Sequence, residues 1–150
     1  MSENFAPRSI KVLHLANQEA QCHDRGCIGT EDVLIGILQG STSITEQVLR
    51  NFGVSEEKIR QERERLPPEN VPSTPPQMAH LRLITEYAKG FAKNLEHQEV
   101  CPIHLLLGII KDKECNAFAI LTKLGIEPEV LGTIAIKAYQ SKIEAKNKLQ

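Results

Sequence analysis

Apolar residues recur along this chain at intervals of three and four, without the strict alternation of a half-buried strand. Ile10, Leu13, Ala16 and Ala20, joined by Val12 and Leu15, mark a first helix of about four turns. Two glycines in residues 22–29 end it. Val33, Leu34, Ile35, Ile37 and Leu38 then cover most of a helix circumference, as expected of a helix enclosed by neighbours. Thr30 is the natural cap of this second helix, and Glu31 and Asp32 stand where the positive end of the helix dipole favours acidic groups. Ser43 caps a short third helix that carries Ile44, Val48, Leu49 and Phe52, and Gly53 stops it. Ser55 opens a charged fourth helix with Ile59 and Leu66, whose run from Glu56 to Arg65 reads as a solvated face held by local ion pairs.

The same order returns. Residues 29–38 recur 72 positions later as residues 101–110, with Pro102 opening the helix where its missing N–H costs nothing. Leu121, Gly125 and Ile126 repeat Leu49, Gly53 and Val54 at that spacing. Met78, Leu81, Ile84 and Ala88 match Ile10, Leu13, Ala16 and Ala20 at 68 instead, which places an extra four residues, about one helical turn, near residues 89–98. A last helix opens at Glu127-Pro128-Glu129 and runs through Tyr139, with a polar end from Ser141 expected to fray. Gly36 and Gly108 sit mid-helix despite a cost of roughly 1 kcal/mol against alanine, which points to close approach of another helix.

These patterns predict an all-α fold: two pseudo-symmetric four-helix repeats in one compact eight-helix domain. Repeat one spans about residues 5–66 and repeat two about 77–147. Pro67, Pro68, Pro72, Pro75 and Pro76 make 67–76 a partly extended connector that no helix can cross. Only two copies at a long period favour a globule over an open solenoid.

At 150 residues the chain can bury a core unaided. Its net charge of −1 gives no electrostatic case for nucleic acid or an anionic membrane. No membrane-length apolar run or signal-peptide pattern is present, so a cytoplasmic setting with reduced cysteines is expected. The sequence has no Gly-Lys pair for a phosphate loop, no His-Glu-x-x-His and no Gly-x-Ser-x-Gly. A non-enzymatic role without a cofactor follows as the expectation.

Phe5-x-Pro-Arg8, Ala16 and Ala20, Gly29-Thr30-Glu31-x-x-Leu34-x-Gly36-Ile37-Leu38 and Val48-Leu49-x-x-x-Gly53-Val54 together resemble the Clp repeat. This is the N-terminal domain of Clp-type AAA+ unfoldases, especially the ClpA and ClpC branch. Leu105-Leu106-Leu107-Gly108-Ile109 and Leu121-x-x-x-Gly125-Ile126 carry the resemblance into the second copy. It implies a chaperone-associated, non-catalytic module that binds unfolded or tagged substrates or adaptor proteins for a Clp ATPase and its peptidase. The module is either the N-domain of a longer chain or a free-standing accessory subunit of the kind found in plastids, whose stroma is then the alternative location.

The resemblance also implies a site. In some ClpC-like N-domains the acidic residue of Gly-Thr-Glu receives phosphoarginine, and Glu31 matches it, with Thr30, Asp32, Arg8 and Phe5 as accompanying candidates. A carboxylate can hold a guanidinium while helix-start N–H groups hold phosphate. The same residues also make an ordinary helix start, and Ile103 replaces the acid in copy two, so such binding is expected on one side only. Phe5, Arg8 and Glu31 are the candidates for exposure. A competing reading takes Cys22, Cys27, Cys101 and His104, with His23 nearby, as zinc ligands or redox-responsive thiols, against semi-buried cysteines acting as small apolar residues. His14 and His80 read as surface or boundary histidines.

Overall fold

The computed structural model describes residues 4–22, 28–40, 43–66 and 79–148, the side chains of 79 and 145–148 excepted. The connector 67–76, with Cys27 and His23, lies outside the described residues. Eight helices follow one another: α1 (Pro7–Cys22), α2 (Thr30–Gly40), α3 (Ile44–Asn51), α4 (Glu56–Arg63), α5 (Ala79–Asn94), α6 (Pro102–Lys111), α7 (Asn116–Lys123) and α8 (Pro128–Lys148). Among the described residues the one β contact is an isolated parallel bridge between Phe5 and Val100.

Every helix of the second half begins 72 residues after its counterpart, α5 after α1 included. The 68-residue offset expected for the leading helices is therefore wrong, and no extra turn is inserted near 89–98. Gly36 and Gly108 prove the register. A Cβ on Gly36 would strike the carbonyl oxygen of Val12, and one on Gly108 would strike that of Ile84, so Val12 and Ile84 are the true equivalents. The close helix approach expected at these glycines is what α1 on α2 and α5 on α6 provide. Helix α8 is helical to Lys148.

Helices α2 and α6 form the centre. Val33, Leu34, Ile35 and Ile37 are fully buried in α2, as are Leu105, Leu106 and Ile109 in α6. Each such aliphatic chain contributes roughly 1.5–3 kcal/mol relative to exposure. Helix α2 packs against α1, α3, α4, α5, α6 and α7, and α6 against α1, α2, α3, α5, α7 and α8. Helix α4 rests on α7 of the other half while α8 rests on α3. This reciprocal exchange of partners is the contact pattern of a twofold axis rather than of a tandem stack.

Both halves terminate their third helix in the same way, with Gly53 and Gly125 at φ of 89° and 82°. That left-handed conformation suits glycine, and the N–H groups of Val54 and Ile126 then bond back to Leu49 and Leu121 carbonyls.

Candidate functional site

The start of α2 is a buried framework. Gly29, not Thr30, is the cap: its carbonyl accepts from the Asp32 and Val33 N–H groups, and its own N–H donates to Asp32 Oδ2 at 2.9 Å. Thr30 is the first helical residue, and its Oγ1 accepts the Ala117 N–H of α7 at 3.0 Å. Cys115 supplies no side-chain bond to the start of α7, so the threonine of one half caps a helix of the other. Glu31 is 1% exposed and folds over Gly29, where a Cβ would collide with its carboxylate; Asn116 Nδ2 reaches its Oε2 at 3.5 Å. The exposure expected for Glu31 is thus not found.

Arg63 explains how acidic groups survive there. It is 2% exposed and donates to Asp32 Oδ1 at 2.8 Å and to Glu19 Oε2 at 3.1 Å, while Arg60 grips Glu19 through both carboxylate oxygens. The hydrogen bonds from Arg60, then Arg63, hold the Glu19 carboxyl at about 2 against the upward push of burial. The run from Glu56 to Arg65 is accordingly more than a solvated face with local pairs. One of its arginines is a buried tie between α4, α1 and α2.

The start of α6 uses different chemistry on the same geometry. His104 occupies the position of Asp32, and its Nδ1 accepts the Cys101 N–H at 2.8 Å, as Asp32 does for Gly29. Its Nε2–H then faces His97 Nδ1 at 2.8 Å, which fixes the neutral tautomer. Burial, followed by the neighbouring His97, lowers the His104 pKa to about 4. Tyr139 lies edge-on to His97 and donates to Cys101 Sγ at 3.3 Å. Burial, then that bond, raises its hydroxyl pKa.

Beside this start lies a cleft of about 370 Å³ where α1, α3, α6 and α8 meet. Arg8, Ile44, Ile103, Tyr139, Lys142 and Glu99 are among its walls. Arg8 is exposed as expected, but Phe5 is 7% exposed and belongs to the core. It is pinned by the backbone exchange of residues 4 and 6 with Val100, and Ser9 Oγ adds a bond to the same carbonyl at 2.7 Å. The sequence candidates therefore separate. Arg8 lines the cleft, while Thr30, Glu31 and Asp32 lie in the interior. Sequence reasoning misses Tyr139 and Lys142 because they lie where α8 continues past the length of α4. The signal that could have found them is the helical spacing of Leu131, Ala135 and Tyr139 running on toward Lys142.

Of the proposed metal or redox set, Cys22 is exposed at the end of α1, Cys101 is half-buried and His104 is fully buried. Both His104 nitrogens are engaged as described. Among the described residues no group of three or more His, Cys, Asp or Glu side chains is arranged to hold a metal ion. His80, half-buried, pairs through Nδ1 with Asp112 Oδ2 at 2.7 Å.

The family model of the Clp repeat (R) N-terminal domain matches residues 4–83 and 78–148. The chain belongs to the Clp repeat N-terminal domain family. It is 36% identical over 145 residues to a probable ATP-dependent Clp protease ATP-binding subunit of Chlamydia pneumoniae, covering 94% of this chain and 17% of that one. It is 31% identical over 152 residues to chloroplastic chaperone protein ClpC1 of Oryza sativa subsp. japonica, covering 97% and 16%. The chain thus spans a small part of the length of these relatives. Among solved structures, the N-terminal domain of the caseinolytic protease associated chaperone ClpD from Arabidopsis thaliana superimposes with a TM-score of 0.78 at 16% identity, covering 93% of this chain and 97% of that one. The Hsp104 N-terminal domain from Candida albicans does so at 0.69 and 16%, covering 89% and 90%. These Clp repeats are non-catalytic N-terminal domains. No described helix of the chain is long and apolar enough to cross a membrane.

Proposed function

We propose that this Clp repeat domain docks substrate or adaptor proteins and delivers them to a Clp AAA+ ATPase and its peptidase, in a cytoplasm or a plastid stroma. The observation that carries this reading is the cleft beside α6, an open concavity with aliphatic walls and directed charges on a rigid helical frame. Repeats of about 5–66 and 77–147 are its two structural halves, joined by the connector 67–76. Thr30, Glu31 and Asp32 serve as framework, and Arg8 serves as a contact.

This role is the same whether the domain is covalently joined to the ATPase or sits beside it as an accessory subunit. Grafting the chain onto a ClpC-type ATPase ring stripped of its own N-domains tests it. Degradation of a Clp client is expected to rise above that of the stripped ring, and to fall back when Arg8 and Lys142 are both changed to Glu. Equal rates for the grafted and stripped rings would overturn the proposal. Phosphoarginine recognition through Glu31 is tested separately by calorimetry on the natural chain and Glu31→Ala. A heat lost only in the variant, with its circular dichroism spectrum unchanged, would support it, and equal heats would end it.

A further inference from the structure

The two halves carry different residues at equivalent buried positions, and the cleft beside the second of them carries a statement about ligand charge. In half one the residue after the helix opener is Glu31, whose carboxylate is packed down over Gly29. In half two it is Ile103, buried and lining the cleft. The cleft's own charges set the sign: Arg8 and Lys142 stand on its rim against Glu99, the one acid among its described lining residues, and all three are exposed.

From this pattern we infer that the cleft takes an extended acidic segment of a partner protein, an aliphatic residue flanked by Asp or Glu. The aliphatic side chain rests against the half-buried Ile44 and Ile143, and the flanking carboxylates pair with Arg8 and Lys142. A cleft of about 370 Å³ is of the size that holds a few residues of peptide rather than a folded domain. The backbone supports the same occupant. The first-turn N–H of Ile44 in α3 has no acceptor one turn back and can donate to a peptide carbonyl. Tyr139 lines the same cleft, its hydroxyl already committed to Cys101. Charge at the rim acts chiefly on association rate and partner choice, while the aliphatic anchor supplies contact area.

This inference rests on the docking proposal and adds the sign of the ligand. Its test is fluorescence anisotropy with two labelled short peptides, one alternating Leu with Asp and Glu, the other alternating Leu with Lys. Backbone amide shifts of the isotope-labelled domain locate whichever binds. The acidic peptide is expected to bind at least about tenfold more tightly at low salt and to lose most of that advantage at high salt. It should move the amides of Ile44, Ile103 and Tyr139. The double variant Arg8→Glu/Lys142→Glu, changed only at exposed positions, should invert the preference with an unchanged circular dichroism spectrum. If both peptides bind equally at the cleft, docking stands and the charge assignment falls. Acidic binding that maps elsewhere, or that survives the double variant, also overturns the assignment. So does the absence of binding by either peptide, and the grafted ring then decides separately whether the domain docks clients at all.

Discussion

Arg63 Nη1 lies 2.8 Å from Asp32 Oδ1, and this contact ties the last turn of α4 to the start of the central helix α2. Neither side chain is more than 2% exposed, so each ion is kept in the interior by its partner. Replacing Arg63 with Ala strands Asp32 and weakens the hold on Glu19. A loss of about 3–5 kcal/mol is expected, read as a lower denaturant midpoint. The triple change Arg63→Met, Asp32→Asn and Glu19→Gln removes all three charges and should recover much of that loss.

The glycines that set the helix approach make opposite predictions from one in open space. Gly36→Ala and Gly108→Ala drive a methyl group into a backbone carbonyl, which cannot rotate away, and should cost about 1–3 kcal/mol each. Gly90, inside α5, has nothing within 4 Å of the place a methyl group would take. Gly90→Ala should stabilise by about 0.5–1 kcal/mol through helix propensity alone. Thermal melts of the three variants separate the effects.

Stability should fall as the solution is acidified, in two stages with different owners. The folded His104 titrates at about 4 against an ordinary value of 6.5, so between these limits the unfolded chain binds a proton that the folded one refuses. Stability is intact above 6.5 and declines toward 4, by roughly 3 kcal/mol at the limit. Glu19 acts lower, its stabilisation present above 4.5 and lost as pH drops toward 2. His104→Asn keeps an acceptor for the Cys101 N–H and should flatten the upper stage only. Denaturant midpoints measured across the pH range check this.

Thr30→Val keeps the shape of a buried side chain and removes the oxygen that holds the Ala117 N–H. About 1–2 kcal/mol should be lost, the cost typical of a missing helix cap. The same change at the exposed Thr133, whose hydroxyl only bonds back to its own helix, should leave the denaturant midpoint nearly unmoved.

The helices and their doubling were legible because apolar spacing, caps and glycines agree at each level. The register of the leading helix was not, because a helical face nearly repeats after four residues. Sliding Ile84 from its true partner Val12 onto Ala16 therefore leaves the pattern intact, and only the contact with Gly108 distinguishes the two. The role of Arg63 was hidden for a related reason. It sits in a run of exposed charges, and burial of one member depends on Glu19 and Asp32, which are far away along the chain. Glu31 misled in the opposite sense, since an acid at a helix start suits water and interior alike when neighbours can receive it. The cleft was the least legible part, because Lys142 and Tyr139 reach it only through the continuation of α8.

The hydroxyl of Thr30 reaches across the twofold axis, and position 102 of the other half is a proline that has no hydroxyl to return. Helix α3 is self-sufficient, since Ser43 receives its Glu46 N–H, whereas α7 depends on its neighbour. Hydrogen exchange at Ala117 therefore gauges whether the halves are seated on one another, while exchange at Glu46 follows the local breathing of α3 alone.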